Sequence, residues 1–297
     1  MAIFFAACKI GTPNGREDTM TTPIVSSNWL EDHLDDPNVH IVEVGAQKPN
    51  TLYIQGHIPG AHWVFWKAFC WHDTDREFVT PAVAAERLGA LGIAGDDTLV
   101  LYGDPVQYGT YAAWSYIMAG HPDVRVLDGT RTKWIAEGRP LTVEAPTPTP
   151  VTYAPQAADA SPRIGRDDVR AGLGQPGRFL LDVRTPEEYS GERVMEYPKF
   201  DHGAERKGRI PGAKHLFFKE LLNKDDTYKS PEELREVFAG VGLSPDTDDE
   251  VIVYCRLSHR ATLTWIAMKD ILGFKNVRIY DGSWTEWGSI VGFPVER

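Results

Sequence analysis

The residues best suited to chemistry in this sequence follow a run of β-favouring residues in its last quarter. Val251–Tyr254 lead into Cys255, and the five residues after the cysteine include Arg256, His259 and Arg260. A thiolate is a strong nucleophile, and fixed positive charges beside a cysteine favour the thiolate over the thiol. The stretch therefore predicts a reactive cysteine in a cationic loop.

A helix is predicted to follow this loop. Apolar residues recur at the spacing of one helix face as far as Gly273: Leu263, Ile266, Ala267, Ile271 and Leu272. The unpaired N–H groups of a helix N-terminus favour an anion in front of them, so we expect Cys255 to ionise more readily than a free cysteine, whose pKa is about 8.5. The alternative is an inert cysteine at the end of a buried strand, since free cysteine is among the most buried residue types.

The number of residues between Cys255 and Arg260 separates two chemistries. Cysteine-dependent phosphatases hold phosphate in a loop with five residues between cysteine and arginine, whereas only four stand here. The shorter loop is expected to fit a smaller oxyanion or a single sulfur atom, which disfavours a phosphatase or an arsenate reductase. Cys-Arg-Leu-Ser-His-Arg at a strand–helix junction resembles the active-site loop of the rhodaneses, the thiosulfate sulfurtransferases.

An internal repeat sets the domain organisation. Three blocks recur in the same order at displacements of 152, 152 and 153 residues: 57–61 with 209–213, 96–103 with 248–255, and 124–129 with 277–282. The segment between the copies is rich in proline and alanine and lacks apolar periodicity, as is typical of an extended connector. We predict an N-terminal extension at 1–22, a first domain at 23–140, a linker at 141–162 and a second domain at 163–297.

Strands and helices alternate within each copy. Phe179–Val183 is predicted as a short buried strand, and Thr185-Pro186 and Ser230-Pro231 begin capping-box sequences; Thr80-Pro81 opens the matching helix of the first copy. The alternation predicts an α/β fold in which each copy has a mostly parallel sheet flanked by helices. The resemblance implies that the copies are two tandem rhodanese-like domains. In such sheets ligands bind beyond the carboxyl ends of the strands, where Cys255 falls.

Only the second copy carries the reactive residues. Gly103 aligns with Cys255, and the loop 104–109 that follows it has no thiol, no arginine and one carboxylate. The chain resembles the tandem rhodaneses over essentially all of 23–297. Three features carry the resemblance: this asymmetry, the two Ile-Pro-Gly-Ala blocks, and the block Asp-Gly-Ser-Trp-Thr-Glu-Trp-Gly at 281–288. The resemblance implies an inactive first domain that helps to wall the site of a catalytic second domain.

The resemblance also implies a reaction. Cys255 would take the outer sulfur of thiosulfate as a persulfide, release sulfite and pass the sulfur to cyanide or a thiol acceptor, with no metal or organic cofactor. Substrate binding is expected from five loop residues and one residue after a neighbouring strand: Arg256, Leu257, Ser258, His259, Arg260 and Arg184. Trp284 and Trp287 are further candidates for the pocket wall, whereas Cys70 is interpreted as structural.

Some of these assignments have alternatives. His259 could equally be a neutral, exposed loop histidine, and Arg184 could instead pair with Asp182, Glu187 or Glu188. Glu188 stands where some members of the resembling family have a substrate-binding arginine, which puts more weight on Arg260. Many relatives have glycine where this chain has Ser258.

Two rival functions use the same fold. A 3-mercaptopyruvate sulfurtransferase typically has a less basic loop, because its donor carries a single carboxylate; Arg256, His259 and Arg260 favour thiosulfate. A persulfide carrier or partner-binding module would keep the same thiol chemistry. The sequence does not choose among cellular sulfur acceptors.

Composition excludes several classes of partner. The chain has 297 residues and a formal net charge of −11, which argues against nucleic-acid binding.

Cys8, Cys70 and Cys255 are too few for a disulfide framework and lack zinc-ligand spacing, which fits a reducing cytoplasm. The apolar run near the start has no preceding basic residue, and no run reaches the ~18 residues of a membrane helix. We expect a cytoplasmic protein, and a monomer because the fused copies already form a pseudo-dimer.

Overall fold

The computed structural model describes residues 23–297, and the predicted repeat is visible as two five-stranded sheets. The strands are β1 (Ile24–Val25), β2 (Val39–Gly45), β3 (His62–Phe65), β4 (Thr98–Asp104), β5 (Val124–Leu127), β6 (Arg163–Ile164), β7 (Arg178–Asp182), β8 (Lys214–His215), β9 (Glu250–Tyr254) and β10 (Val277–Tyr280). Their orders are β1-β5-β4-β2-β3 and β6-β10-β9-β7-β8, and every neighbouring pair is parallel. The prediction of an α/β fold with two parallel sheets is confirmed.

Helices flank both sheets, and local sequence sets where several of them begin. They are α1 (Ser27–Asp32), α2 (Thr51–Gln55), α3 (Trp66–Cys70), α4 (Pro81–Ala90), α5 (Gln107–Met118), α6 (Arg131–Ala136), α7 (Arg166–Ala171), α8 (Pro186–Ser190), α9 (Pro231–Gly240), α10 (His259–Ile266) and α11 (Ser283–Trp287). Thr185 and Ser230 form the predicted capping boxes, and Thr80 caps α4. A π-helical turn at Ala267–Ile271 extends α10 to Ile271, two residues short of the predicted end at Gly273.

The central strands β4 and β9 are buried on both faces. Residues 99–103 and 251–254 are all buried, as expected for parallel strands covered by helices on each side. This is why the residues before Cys255 are continuously apolar rather than alternating. The cysteine is thereby held at the carboxyl edge of the second sheet.

Helices α5 and α10 pack together and join the two copies. Thr110 and Thr262 occupy equivalent positions in the repeat, and their hydroxyl groups hydrogen-bond to each other at 3.0 Å. One hydrophobic cluster includes residues of both copies, among them Tyr111 and Leu263. Equivalent residues that meet each other indicate an approximate two-fold relationship between the copies.

The segment 141–162 runs along the first copy without forming a helix or a strand. The Val151 N–H donates to the Gly89 carbonyl, and the Asp159 N–H donates to the Met118 carbonyl, both at 2.9 Å. The extended connector predicted from its composition is therefore docked onto the domain that precedes it.

The predicted extension at 1–22, and Cys8 with it, lies outside the described residues. Between residues 23 and 297, no helix combines the length and the apolar character that crossing a membrane requires.

Candidate active site

Cys255 lies directly after β9 at the base of a small pocket. Its backbone N–H donates to Ser283 Oγ at 3.2 Å, and its carbonyl accepts from the Trp284 N–H at 3.0 Å. The pocket has a volume of about 70 Å³, room for roughly five water-sized atoms. This size suits a small anion such as a sulfur oxyanion.

Three segments build the pocket. The loop 255–260 forms its base, residues 195–199 of the second copy form one wall, and Gln107 and Tyr108 of the first copy contribute to it as well. The first copy therefore helps to wall the site, as the resemblance implied.

The loop after Cys255 presents unpaired backbone donors. Within residues 23–297, no hydrogen-bond acceptor is found for the N–H groups of five positions: Arg256, Leu257, Ser258, Arg260 and Ala261. They lie at the N-terminal end of α10, where the helix dipole favours negative charge. The loop can therefore donate hydrogen bonds to an anionic sulfur or oxygen on Cys255.

Ser258 fixes the shape of this loop. Its φ is +67°, a left-handed conformation that favours glycine and explains why glycine suits this position in the resembling family. Its Oγ lies 2.5 Å from the Asp281 carbonyl oxygen and 2.7 Å from Asp281 Oδ1, so it donates to one of them. Asp281 in turn pairs with Arg76 at 2.6 Å and Arg163 at 3.3 Å. The Ser258 hydroxyl therefore holds the loop, and the backbone N–H is the part left for substrate.

His259 is neutral and enclosed by aromatic rings of the first copy. Its ring stacks on Tyr111 at 4.0 Å and meets Trp66 edge-on at 4.4 Å, while Nδ1 donates to the Leu257 carbonyl at 2.9 Å. Burial, followed by three nearby guanidinium groups, lowers the pKa of His259 to about 3. The suggestions that it is exposed or adds positive charge are wrong, although the residue still borders the pocket.

Arg260 reaches the pocket, but its charge is already paired. Its guanidinium donates to both carboxylate oxygens of Glu188, at 2.6 and 2.9 Å, and Glu188 is fully buried. Glu196 Oε2 lies 3.8 Å from Nη1 of the same guanidinium. The family departure at position 188 thus places a carboxylate on Arg260, which offsets much of the positive charge that the sequence analysis assigned to this residue.

Arg256 is the pocket cation whose charge is free. In the described part of the chain its guanidinium has no hydrogen bond and no ion pair. It packs against Gly203, where an added Cβ would lie 2.6 Å from Nη1. Lys199 supplies a second positive charge at the mouth, where it pairs with Glu196. An incoming anion is therefore expected to meet Arg256 first.

Arg184 does not reach the pocket. It is fully buried, donates to Asp182 at 2.6–3.0 Å and to the Gly208 carbonyl at 2.8 Å, and lies over the Trp284 ring at 4.7 Å. The structure corrects the prediction that Arg184 contacts substrate, because the alternative pairing with Asp182 satisfies it.

Trp284 and Trp287 also lie away from the pocket. Both are fully buried in the core of the second copy, where their indole N–H groups donate to the carbonyls of Arg206 and Pro294. They pack the helix that follows β10 and do not wall the site. Cys70 is fully buried, and burial raises the pKa of its thiol well above the usual value, as fits a structural cysteine.

A long segment between α8 and Arg209 brings residues to the site that the sequence analysis missed. The first copy has only Gly56 between α2 and His57, whereas the second copy has the whole of 191–208 at this place. Met195, Glu196 and Lys199 of this segment line the pocket. Equivalent residues of the two copies are further apart in sequence after this segment than before it, and that change could have located the insertion.

The first copy lacks both the thiol and the space for one. A Cβ built on Gly103 would lie 2.6 Å from the Gly109 nitrogen and 2.8 Å from the Tyr108 Cβ. The loop equivalent to the active-site loop has therefore closed over this position. Among residues 23–297, no group of three or more His, Cys, Asp and Glu side chains could hold a metal ion.

Comparison with known proteins also divides the chain into two copies. A family model described as Rhodanese-like domain matches residues 26–137 and again 165–290. The sulfur carrier protein TtuD of Thermus thermophilus is 42% identical over 284 residues, which cover 92% of this chain and 96% of that protein. A "Putative thiosulfate sulfurtransferase" of Saccharopolyspora erythraea is 40% identical over 275 residues, covering 92% and 96%.

A solved structure has the same fold with a modified cysteine. It is an EanB variant with a cysteine persulfide, in a tetrahedral intermediate state with ergothioneine. Its TM-score is 0.80 at 25% identity, and the match covers 93% of this chain and 70% of that one.

Proposed function

The chain belongs to the rhodanese family, and on this basis we propose that it is a thiosulfate sulfurtransferase that carries the transferred sulfur as a persulfide on Cys255. The supporting observation is the pairing of Cys255 with a pocket of about 70 Å³ that contains the free guanidinium of Arg256. A soft nucleophile and fixed positive charge are what a sulfur-donating dianion requires.

The first half-reaction breaks the sulfur–sulfur bond of thiosulfate. The Cys255 thiolate attacks the outer sulfur, a new sulfur–sulfur bond forms, and the electron pair of the broken bond leaves with sulfite. The Arg256 guanidinium offsets part of the negative charge of the donor, and the loop N–H groups bind the terminal persulfide sulfur. The total charge of three negative units is the same before and after the step.

The second half-reaction returns the free thiolate. Cyanide or an acceptor thiolate attacks the terminal sulfur, the Cys255 sulfur leaves as a thiolate, and thiocyanate or a new persulfide departs. No redox partner is needed, because the electron pair of the new bond comes from the acceptor and the pair of the broken sulfur–sulfur bond stays with the Cys255 sulfur.

A persulfide carrier is the second candidate function. A relative with 42% identity is named a sulfur carrier protein, and the same Cys255 persulfide would serve a carrier. The two functions differ in turnover: a carrier holds one sulfur per site until a partner removes it, whereas an enzyme releases many products with small acceptors.

Mass spectrometry and steady-state kinetics test the proposal together. After incubation with thiosulfate, the wild-type protein should gain one sulfur atom on the peptide that contains Cys255. Cys70→Ala should gain it as well, and Cys255→Ala should not. Multiple turnovers with cyanide would support the enzyme, whereas a single turnover would support the carrier.

The choice of donor is tested in the same assay. Thiosulfate should give the higher kcat/KM when it is compared with 3-mercaptopyruvate. A marked preference for 3-mercaptopyruvate would overturn thiosulfate as the donor while leaving the persulfide on Cys255. We further propose that the protein acts as a monomer in the cytoplasm, which gel filtration and cell fractionation can test.

A further inference from the structure

The two copies of the fold treat an equivalent buried carboxylate differently. Tyr102 and Tyr254 are equivalent in the repeat. Glu43 lies beside Tyr102 in the first sheet and Asp182 lies beside Tyr254 in the second, so Glu43 and Asp182 are equivalent too. Both are buried, with 5% of Glu43 and none of Asp182 exposed. An ionised carboxylate in such a place needs a compensating partner.

In the second copy that partner is an arginine two residues further on. Arg184 places its guanidinium on Asp182, with a shortest contact of 2.6 Å. The equivalent position in the first copy is Gly45, which has no side chain. Within residues 23–297, Glu43 has no ion pair, and its hydrogen bond comes from the Tyr102 hydroxyl at 2.6 Å.

In the first copy another arginine, Arg131, makes only one of the two contacts that Arg184 makes in the second copy. Arg184 also donates to the Gly208 carbonyl at 2.8 Å, and Gly208 is equivalent to Gly56 in the first copy. There Arg131, from α6, donates to the Gly56 carbonyl, so that bond is restored from another element. Arg131 forms no ion pair with Glu43, and in the described part of the chain no other cation contacts this carboxylate directly.

A cavity of about 310 Å³ lies beside Glu43 in the first copy. Glu43 and Gly45 line it, Trp63 covers one side, and Asp104 stands at the carboxyl end of β4. The Trp63 indole lies so close to residue 45 that an added Cβ would be 2.4 Å from Nε1. The volume falls within the range of small-molecule pockets.

Several polar groups around this cavity have no partner. The side-chain amides of Gln47 and Asn50 and the Trp63 indole N–H have no hydrogen bond to any residue between 23 and 297. Two carboxylates and an aromatic face are the groups that bind a planar organic cation, by paired hydrogen bonds and by attraction to the ring.

We propose that the cavity of the first copy binds a small organic cation with a guanidinium group, which supplies beside Glu43 the positive charge that Arg184 supplies beside Asp182. The cation pairs with Glu43, with Asp104 as the second carboxylate and Trp63 as the flat wall. This site is separate from Cys255 and does not depend on sulfur transfer.

Calorimetric titration with methylguanidinium tests the site, with N-methylurea as the neutral ligand of the same shape. Wild-type protein should bind methylguanidinium about tenfold or more tightly than N-methylurea, as for a charge-assisted pair. Glu43→Gln keeps an acceptor for the Tyr102 hydroxyl and should abolish this preference. Cys255→Ser should bind methylguanidinium like the wild type.

Asp104→Asn and Trp63→Phe provide a second route if Glu43→Gln fails to fold. Each should weaken methylguanidinium binding by about threefold or more, because the first removes a carboxylate charge and the second replaces the indole with a smaller ring that attracts a cation less strongly. Equal binding of the two ligands by the wild type would overturn the proposal. So would unchanged methylguanidinium binding in a folded Glu43→Gln protein or in both of the other variants.

Discussion

Arg260 donates two hydrogen bonds to Glu188, at 2.6 and 2.9 Å, and so ties the last position of the active-site loop to α8. Glu188 also accepts from the Thr185 N–H at 3.0 Å as part of the capping box. One carboxylate therefore caps the N-terminus of α8 and also holds the active-site loop in place. Because this pair uses the charge of Arg260, the free positive charge beside Cys255 belongs to Arg256.

Glu188→Gln is expected to destabilise the protein. The change keeps the shape but takes from the buried Arg260 guanidinium its bidentate counter-charge and leaves only the more distant Glu196, which costs about 3–5 kcal/mol. Urea denaturation should show this loss in the free energy of unfolding. A loss below 1 kcal/mol would mean that solvent already screens the pair.

The same pair predicts a pH dependence of stability. Burial acts to raise the pKa of Glu188, but the charge and hydrogen bonds of Arg260 outweigh it, so the pKa lies below its usual value. A carboxyl group whose pKa is depressed on folding stabilises the fold above the unfolded pKa of about 4.3, and the stabilisation is lost as the pH falls through the folded pKa. Below pH ~4.3 the wild type should lose more stability than Glu188→Gln, measured by thermal unfolding across pH.

Arg256→Leu should weaken donor binding without weakening the fold. The guanidinium is unpaired within the described residues and partly exposed, so its removal leaves no buried charge behind. Loss of a charge-assisted contact to a dianion should raise the KM for thiosulfate about tenfold or more. Arg235→Leu, an exposed arginine of α9 far along the chain from the loop, is the matched control and should leave KM unchanged. A larger effect of Arg260→Leu on KM, in a protein that remains folded, would reverse the roles given to the two arginines.

Much of the fold could be predicted from sequence because its signals are local. The capping boxes at Thr185 and Ser230 and the apolar run before Cys255 each depend on neighbouring residues, and the repeat is found by comparing short stretches of this kind. The structure has all of them. Parallel strands covered on both faces follow from the alternation of these elements.

The composition of the pocket was harder to predict because it depends on tertiary contacts. Glu188 is distant from Arg260 in sequence, and His259 becomes neutral only because aromatic rings of the other copy enclose it. Lys199 comes from a segment that the first copy lacks, so the repeat gave no counterpart for it. Charge counted along the loop therefore overstated the free positive charge at the site.

Substitutions at Ser258 should separate backbone strain from hydrogen bonding. Ser258→Gly removes the Asp281 bond but relieves a left-handed conformation that costs a side-chain-bearing residue about 1–2 kcal/mol, so stability should change little. Ser258→Ala keeps the strain and loses the bond, and should cost about 1–2 kcal/mol more than the glycine variant. Thermal unfolding together with kcat/KM measures both effects. Equal stability and activity of the two variants would show that the backbone at 258 is not strained.

The burial of His259 in its neutral form should make the stability of the fold decrease as the pH falls. The unfolded chain binds a proton on His259 near pH 6.5, whereas burial lowers the pKa in the folded protein to about 3. Stability from this group is therefore complete above pH ~6.5 and falls by about 1.4 kcal/mol per pH unit as the pH drops toward 3. His259→Phe should flatten the dependence between pH 6.5 and 5 in urea titrations, as a ring of similar size without a titrating group. An unchanged slope would place the proton uptake elsewhere.

Gly103→Cys should not create a second active site. Its Cβ would lie 2.6 Å from the Gly109 nitrogen and 2.8 Å from the Tyr108 Cβ, so the backbone of this loop has to shift to admit any side chain. Such overpacking costs about 1–3 kcal/mol, and the loop that follows provides Asp104 in place of an arginine. In a Cys255→Ser background, Gly103→Cys should take up no sulfur from thiosulfate, as measured by mass spectrometry of the peptide around residue 103. Since Tyr108 also lines the Cys255 pocket, the same substitution in the wild-type background should lower kcat/KM. A persulfide at position 103 would show instead that this loop opens readily and that charge, rather than space, had kept the first copy inactive.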